Sequence, residues 1–374
     1  MVYLCSGKNK EGYLHALIQS FELNVMPVKS SLSKYRNKIS FLFFKEILFN
    51  LLNSFNRPKW RGLHLYATDG FEMALPRSLD IIEGGYTGRR LSTDNGAKGE
   101  TYYPHMYTVH TYDILSRTTK AFYGSITNHE TKGAVANIKE LEPRSMTLYD
   151  RAFCNSKIIN AHFEYRSFFF IRFKSGKAIP KEIQRFIESN KAQDSFLWGD
   201  NHERRIYLFK IKNKKQKQPH IYATNYKGIT LEEAEALYRL RWEVETGFRD
   251  LVNTLAIEQW HSKTENGILQ EIYVRLWIIN YARIQQFQME KSRENPLRQI
   301  YKRSNFKLIL DFIIKHWSDF FARKRKFLQK IKTLIYVSTE KRKRYSRSVK
   351  RQIRYQNKNY PAANIIFDSE VKSA

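Results

Sequence analysis

From Thr230 to Leu255 the chain reads TLEEAEALYRLRWEVETGFRDLVNTL. Apolar side chains recur at Leu237, Leu240, Val244, Phe248, Leu251 and Leu255, the three- and four-residue spacing of one helix face. The pattern predicts a single helix over residues 230–255. A capping box opens it: Thr230 takes the N–H of Glu233, and the Glu233 carboxylate takes the N–H of Thr230. No proline interrupts the run, and Gly247 is its one weak helix former. At 100° per residue Tyr238, Arg241, Glu245 and Arg249 share a neighbouring stripe. A packed face thus lies beside a face holding a phenol, two guanidiniums and a carboxylate. A solvated Arg241–Glu245 pair at i,i+4 is the plain alternative for that second face.

Upstream the period drops from 3.6 to two. Residues 62–68, GLHLYAT, alternate Leu63, Leu65 and Ala67 with His64, Tyr66 and Thr68, a strand with one buried face. It is expected to end at Asp69-Gly70, where Asp69 also reads as a simple turn residue. Strands are predicted at 103–113 and 119–126 around a tight turn at 115–117. A helix follows at 130–141, a short strand at 145–149 ending in Asp150, a helix at 156–164 and a buried strand at 167–173. Residues 205–211 and 220–224 read as a hairpin with a basic tip at 212–218. Ahead of all this, 13–21 and 40–54 are amphipathic helical segments. They flank a basic stretch at 26–39, whose Lys29, Lys34, Arg36 and Lys38 suit either phosphates or plain solvent. Beyond the turn at Trp260-His261-Ser262, residues 267–289 make another amphipathic helix. The order of elements is that of an α/β fold. Open α/β sheets bind ligands at the carboxyl ends of their strands. Asp69 and Asp150 are therefore expected at one rim, with Glu245 delivered there by its helix.

Charge adds a partner. The 374 residues carry a formal net charge of +29, with a pI of about 9.9. Such an excess suits a polyanion, most simply nucleic acid. Residues 323–354 form a dense basic tract with one acid, Glu340. Arg323, Lys324, Arg325, Lys326, Lys341, Arg342, Lys343 and Arg344 are its candidate DNA-binding residues. No membrane partner is expected, since the most apolar run, 41–55, contains Lys45, Glu46, Asn50 and Asn53. No signal peptide is legible, and Cys5 and Cys154 fit neither a zinc spacing nor a disulfide framework, which suits a reducing cytoplasm. In so basic a protein, three convergent carboxylates have a specific use. Alone they repel and raise one another's pKa. Two Mg²⁺ ions roughly 4 Å apart remove that conflict, activate a water or a 3′-hydroxyl, and stabilise the leaving oxygen of a phosphodiester.

Three blocks carry a family resemblance. They are LHLYATDGFEMALP (63–76), LYDRAFCNSKII (148–159) and LYRLRWEVETGFRDLVNTLAIEQWHSKTENGILQEIYVRL (237–276). In this order they resemble the DDE transposases of bacterial insertion sequences, specifically the insertion-sequence-four family, over about residues 29–288. The glutamate helix of that family carries Y-x2-R-x3-E-x6-K. Tyr238, Arg241 and Glu245 fill the first three places, and Val252 stands where the lysine belongs.

The resemblance implies a ribonuclease-H-like mixed sheet flanked by helices. It divides the chain into a helical N-terminal region (1–58), a catalytic domain (59–290) with a mostly β insertion (174–227), and a basic helical C-terminal region (291–374). It implies Asp69, Asp150 and Glu245 as the catalytic triad and the ligands of two Mg²⁺ or Mn²⁺ ions, with Tyr238 and Arg241 on the phosphates and Arg249 beside them. Double-stranded DNA is the implied partner, bound by a homodimer, in the cytoplasm with the bacterial nucleoid. The reaction implied is cutting at element ends followed by strand transfer. Two alternatives stand beside it. One is a decayed transposase that only binds DNA, favoured by Val252 and a short N-terminal region. The other is a metal-dependent nuclease that does not join. Val252 predicts a weak catalyst that Val252→Lys would speed about tenfold, unless residue 252 points into the core, where a lysine would cost stability. Trp198 suits stacking on an unpaired base, although packing is the simpler role, and His261 suits capping its turn.

Overall fold

Ser145–Tyr149 is buried at all five positions, as a strand covered on both faces must be. The computed structural model describes residues 29–92, 98–127, 129–173, 180–199, 204–211, 219–255, 257–290, 300–343 and 365–367. The chain begins with α1 (Lys29–Lys38), α2 (Phe41–Asn53), β1 (His64–Ala74), α3 (Leu79–Glu83), β2 (Gly88–Ser92), β3 (Lys98–Asp113) and β4 (Thr118–Ser125). It continues through α4 (Glu130–Ile138), β5 (Ser145–Tyr149), α5 (Ser156–Glu164), β6 (Phe168–Arg172), α6 (Lys181–Glu188), β7 (Gln193–Leu197), β8 (Arg205–Ile211) and β9 (His220–Thr224). Then come α7 (Leu231–Leu240), α8 (Glu243–Arg249) and α9 (Glu265–Met289). The last elements are β10 (Ile300–Arg303), α10 (Phe306–Lys315), α11 (Trp317–Phe321), α12 (Arg325–Val337), β11 (Glu340–Lys343) and β12 (Ile365–Phe367).

One mixed sheet of ten strands runs β12-β3-β1-β5-β6-β9-β8-β7, with β2 and β4 also paired to β3. Its centre, β1-β5-β6, is parallel, and β3 and β9 flank it antiparallel. This is the expected ribonuclease-H-like mixed sheet. The predicted hairpin forms as β8 and β9. Through β9 it joins β6, so the inserted strands extend the main sheet. The hairpin tip at 212–218 lies outside the described residues.

The pleat sends alternate side chains to two helical layers. Tyr149, Phe169 and Ile171 pack with Ala134 and Ile138 of α4 and with Ile158 and Ile159 of α5. Leu65, Ala67, Leu148 and Phe170 pack with Leu237 and Leu240 of α7 and Val244 of α8. A third cluster surrounds α9 and takes in Leu48 of α2, Ile309 of α10 and Ile331 of α12.

The structure corrects three expectations. First, β1 does not stop at Asp69-Gly70. It runs on to Ala74, because the long β3 pairs with it as far as Ala74–His105. Second, the single helix over 230–255 is two helices and a wide turn. Its capping box forms as read. The N–H groups of Arg241, Val244 and Glu245 then reach back three residues, to Tyr238, Arg241 and Trp242. Asp250–Thr254 is a π turn, closed by the Leu255 N–H on the Asp250 carbonyl. Buried ion pairs anchor the segment on either side of α8, Arg303 on Glu243 at 3.0 Å and Arg283 on Asp250. An apolar period does not register such anchors.

Third, Arg36 faces no phosphate. It is buried and donates to Gln270, Gly267 and Glu271 of α9 at 2.9, 2.7 and 2.8 Å. Lys34 and Lys38 are exposed, and the segment at 13–21 lies outside the described residues. Within the basic tract, regular structure forms on both sides of residue 338. α12 buries Ile331 and Ile335 against the α9 cluster, and β11 pairs with β10. Arg344 and the rest of the tract to 354 lie outside the described residues. Among the described residues no helix is long and apolar enough to cross a membrane.

Candidate active site

The two aspartates owe their proximity to strand register. In the parallel β1–β5 ladder the last pair is Thr68 with Tyr149. Asp69 and Asp150 are the next residues of the two strands, and adjacent strands lie about 4.8 Å apart. Asp150 leaves the sheet there. Its side chain accepts the Arg151 N–H and caps a short 3₁₀ turn, Arg151–Phe153. Asp69 stays in its strand and accepts the Gly70 N–H at 3.0 Å.

Arg241 ties the glutamate helix to this point. One guanidinium nitrogen is 3.3 Å from Asp69 Oδ2 and the other 4.0 Å from Glu245 Oε1. The side chain is buried, with its charge over the Trp242 ring at 4.9 Å. Burial pushes the Asp69 carboxyl up, and Asp150 and Glu245 add to the rise; Arg241 and the Gly70 N–H only partly oppose it. Asp69 therefore feels both of the other carboxylates. Among the described residues, no three His, Cys, Asp or Glu side chains stand close enough to hold an ion in this arrangement. The Arg241 guanidinium sits between Asp69 and Glu245 in the manner of a resident cation. The donor set, carboxylate oxygens only, is the one a hard divalent cation takes.

The helix comes this close because of Gly247. A Cβ there would meet Tyr112 of β3 at 2.9 Å and His110 at 3.2 Å. Tyr238 packs on Tyr222, ring centroids 4.6 Å apart. Burial raises its phenol, with the Asp150 charge next in weight, so its hydroxyl keeps its proton. Arg249 lies four residues after Glu245 on α8. It is exposed and donates to Thr246 on its own helix. Val252 lies in the π turn and is 36% exposed.

Of the basic candidates, Arg323, Lys324, Arg325 and Lys326 are exposed around the start of α12, Lys324 paired with Asp319. Lys341, Arg342 and Lys343 lie on β11. Trp198 has the packing role: its indole N–H donates to Asn160 at 2.8 Å. His261 belongs to its turn, where its N–H and that of Ser262 both donate to Glu271.

One acidic residue escaped the sequence reading. Glu130, first in α4, shares the field of Asp69, Asp150 and Glu72, and burial pushes its carboxyl up. With Gly70, Glu72, Thr108, Tyr123 and His129 it lines a cavity of about 260 Å³. The only signal for it was Gly70, since a glycine inside a strand marks a close approach.

Residues 60–281, more than half of the chain, match the family of transposase DDE domains. The chain belongs to that family. Its work is DNA transposition and recombination. None of the curated proteins compared with the chain matches it. The matched span of this transposase opens at Trp60, just ahead of β1, and closes at Tyr281 within α9. It contains Asp69, Asp150 and Glu245, and leaves α1, α2 and α10 to α12 outside. Members of the family generally use divalent metal ions.

Proposed function

We propose that this transposase cuts DNA at the ends of an insertion sequence and transfers the freed 3′ ends into target DNA. Asp69, Asp150 and Glu245 are the carboxylates of the reaction centre. One observation carries the reading: Asp69 and Asp150 follow the last pair of a parallel ladder, and Arg241 links Asp69 to Glu245. The motif on the glutamate helix supports membership of the insertion-sequence-four family within this class.

Divalent cations, two per site as Mg²⁺ or Mn²⁺, would supply an activated oxygen nucleophile and charge stabilisation of the phosphodiester. The chain's own residues do the rest. Asp69 and Asp150 hold their carboxylates at fixed strand positions, and Glu245 brings the third from α8. Arg241, held between Asp69 and Glu245, would contact a phosphate oxygen of DNA bound at this rim. The protonated Tyr238 hydroxyl donates to the same backbone. Exposed Lys and Arg side chains near Arg323–Lys326, with the basic strand at Lys341–Lys343, contact the duplex, bound by a homodimer in the nucleoid. The catalytic domain is taken as 59–290, between an N-terminal region at 1–58 and a basic C-terminal region at 291–374.

Asp69→Asn, Asp150→Asn and Glu245→Gln test the triad. Each is expected to slow cleavage about a thousandfold or more, roughly 4 kcal/mol of barrier. Duplex affinity should hold, because phosphate contacts elsewhere dominate it. Cleavage at the wild-type rate by Asp150→Asn would remove the site from this account. Transfer of a labelled 3′ end into a plasmid separates a transposase from a nuclease that only cuts.

A further inference from the structure

The sheet rim that carries Asp69 and Asp150 has a third charged position. In the β5–β6 ladder the last pair is Tyr149 with Ile171. Arg172 is the next residue of β6, level with Asp150 as Asp150 is level with Asp69. It is the one charged side chain of FFFIR, a strand otherwise of phenylalanine and isoleucine. Side chains alternate along a strand, so Arg172 points the way Phe170 does, to the face packed by Leu237 and Val244. Asp69, two residues after Ala67, shares that face. The half-buried guanidinium of Arg172 donates to His220 Nε2 at 2.7 Å. Burial first, then the charges of Arg172 and Arg151, lower the His220 pKa, so the ring is neutral and Nε2 accepts. Nδ1 then carries the proton and donates to the Tyr222 hydroxyl at 3.3 Å, which fixes the ring. Tyr222 packs on Tyr238, and beyond burial the Tyr238 phenol feels Asp150, Arg241 and Arg172. Among the described residues the partners of Arg172 are thus an imidazole and a phenol, both neutral, and no carboxylate pairs with it. A half-buried guanidinium aimed by neutral groups is stabilised when an anion joins it.

We propose that Arg172, aimed by His220, binds the DNA backbone phosphate next to the scissile one, on the side of the inserted strands β8 and β9. The proposal rests on the triad reading above, which puts the scissile phosphate at Asp69 and Asp150. Arg241 lies on the Asp69 side of that point. Arg172 lies one strand beyond Asp150, about 4.8 Å further along the rim, and so meets the backbone where it enters or leaves the site. Its planar fork of donors suits two oxygens of one phosphate. The alternative is a purely structural bond, Arg172 to His220, that fastens β9 to β6 across a short ladder.

The test uses the full chain and short duplexes carrying the DNA end that flanks its gene, each with a single phosphate made neutral as a methylphosphonate. Affinity is measured for every duplex, and melting temperature for every variant. Wild type is expected to lose about fivefold or more in affinity at each contacted phosphate. Arg172→Ala should bind the unmodified duplex more weakly by a similar factor, with a log–log salt slope smaller by roughly 0.9. It should also be indifferent to the methylphosphonate at one position, the neighbour of the cut. Arg172→Lys keeps the charge and should keep the slope, while losing the two-oxygen fork and part of the affinity. His220→Gln, which retains an acceptor oxygen, should bind closer to wild type than His220→Ala does. An unchanged methylphosphonate pattern in Arg172→Ala, with a lower melting temperature, would overturn the proposal in favour of strand fastening. A position that falls silent far from the cut would overturn the placement beside the scissile phosphate. Cleavage at the wild-type rate by Asp150→Asn would remove the triad, and the placement of this phosphate with it. An unchanged pattern in Arg172→Ala beside an inactive Asp150→Asn removes the Arg172 contact alone and leaves the triad standing.

Discussion

Two clusters of carboxylate and guanidinium behave in opposite ways. At the candidate site, the Arg241 guanidinium lies against Asp69 and Glu245, and the Asp69 carboxyl is pushed up by burial. Under α9, Glu271 is as buried as a side chain can be. It receives Arg36 at 2.8 Å, Arg275 at 3.3 Å and the N–H groups of His261 and Ser262 at 3.1 and 2.9 Å. Burial alone would raise this carboxyl; the hydrogen bond from His261 and the two guanidiniums outweigh burial and hold it at about 2. Same chemistry, different balance. Glu271 has all the positive charge and donors it can use, so it locks α1, α9 and the 261–262 turn together. At Asp69, burial outweighs the guanidinium and the Gly70 N–H, so the fold disfavours the charge there.

The sharpest break in this comparison comes from neutralising one member of each cluster. Glu271→Gln leaves Arg36 and Arg275 buried without their counter-charge. It is expected to destabilise the fold by roughly 3–5 kcal/mol. Asp69→Asn should do the reverse in metal-free protein, because the fold already disfavours that charge. Denaturant unfolding of both variants without metal reads the two signs, and two losses of equal size would erase the distinction.

Acid sharpens the same contrast. Glu271 has a folded pKa below its unfolded value near 4.5, so its contribution is complete above about pH 4.5 and fades as pH falls toward 2. Asp69 has a folded pKa above its unfolded value, so its unfavourable contribution is relieved as pH falls through the folded value. The stability gap between Asp69→Asn and wild type should therefore narrow on mild acidification. The gap between wild type and Glu271→Gln should hold until below about pH 4.5 and then close. Melting temperature followed from neutral to acid pH checks both.

Why one cluster was legible in the sequence and the other was not follows from the range of the contacts. Asp150 follows a five-residue strand, Ser145–Tyr149, read with the same bounds from its local sequence, and the Thr230–Glu233 cap is a three-residue contact. Asp69 was legible by motif, although its strand ran five residues further than its own pattern implied, because β3 lies across it. The Arg36–Glu271 pair spans 235 positions, and no local period links its halves. The glutamate helix falls between these cases. Its start and apolar stripe were readable. Its break after Leu240 and its π turn are imposed by Arg303, Arg283 and the approach to β3, which lie outside the helix.

That approach gives the next effect in size. Alanine at position 247 gains about 1 kcal/mol over glycine in helix propensity. Its Cβ would also press on Tyr112 at 2.9 Å, an overpacking that costs about 1–3 kcal/mol. Gly247→Ala is expected to lower stability on balance and to slow cleavage further, since Glu245 rides on the displaced helix. A gain in stability would mean that α8 can lift without strain and that Gly247 does not set the position of Glu245.

The smallest effect concerns Val252, where helix phase matters most. An unbroken helix puts residue 252 on the stripe of Glu245, beside the scissile phosphate, and there a lysine would speed cleavage about tenfold. The π turn at Asp250–Thr254 adds a residue to that turn and carries Val252 off the stripe. Val252 is also 36% exposed, so a lysine there buries no charge and the core-facing alternative fails. What remains is an ammonium in screened solvent at the rim. Exposed ion pairs of this kind contribute about 0–1 kcal/mol. Val252→Lys is therefore expected to leave stability within about 0.5 kcal/mol and to change the cleavage rate less than about fivefold. If the new ammonium reaches a phosphate at all, the log–log salt dependence of duplex binding should steepen by roughly 0.9. A tenfold gain in rate with unchanged stability would mean that the π turn rewinds to an α-helix when DNA binds. The glutamate segment would then have two conformations, while the strand-borne aspartates keep one.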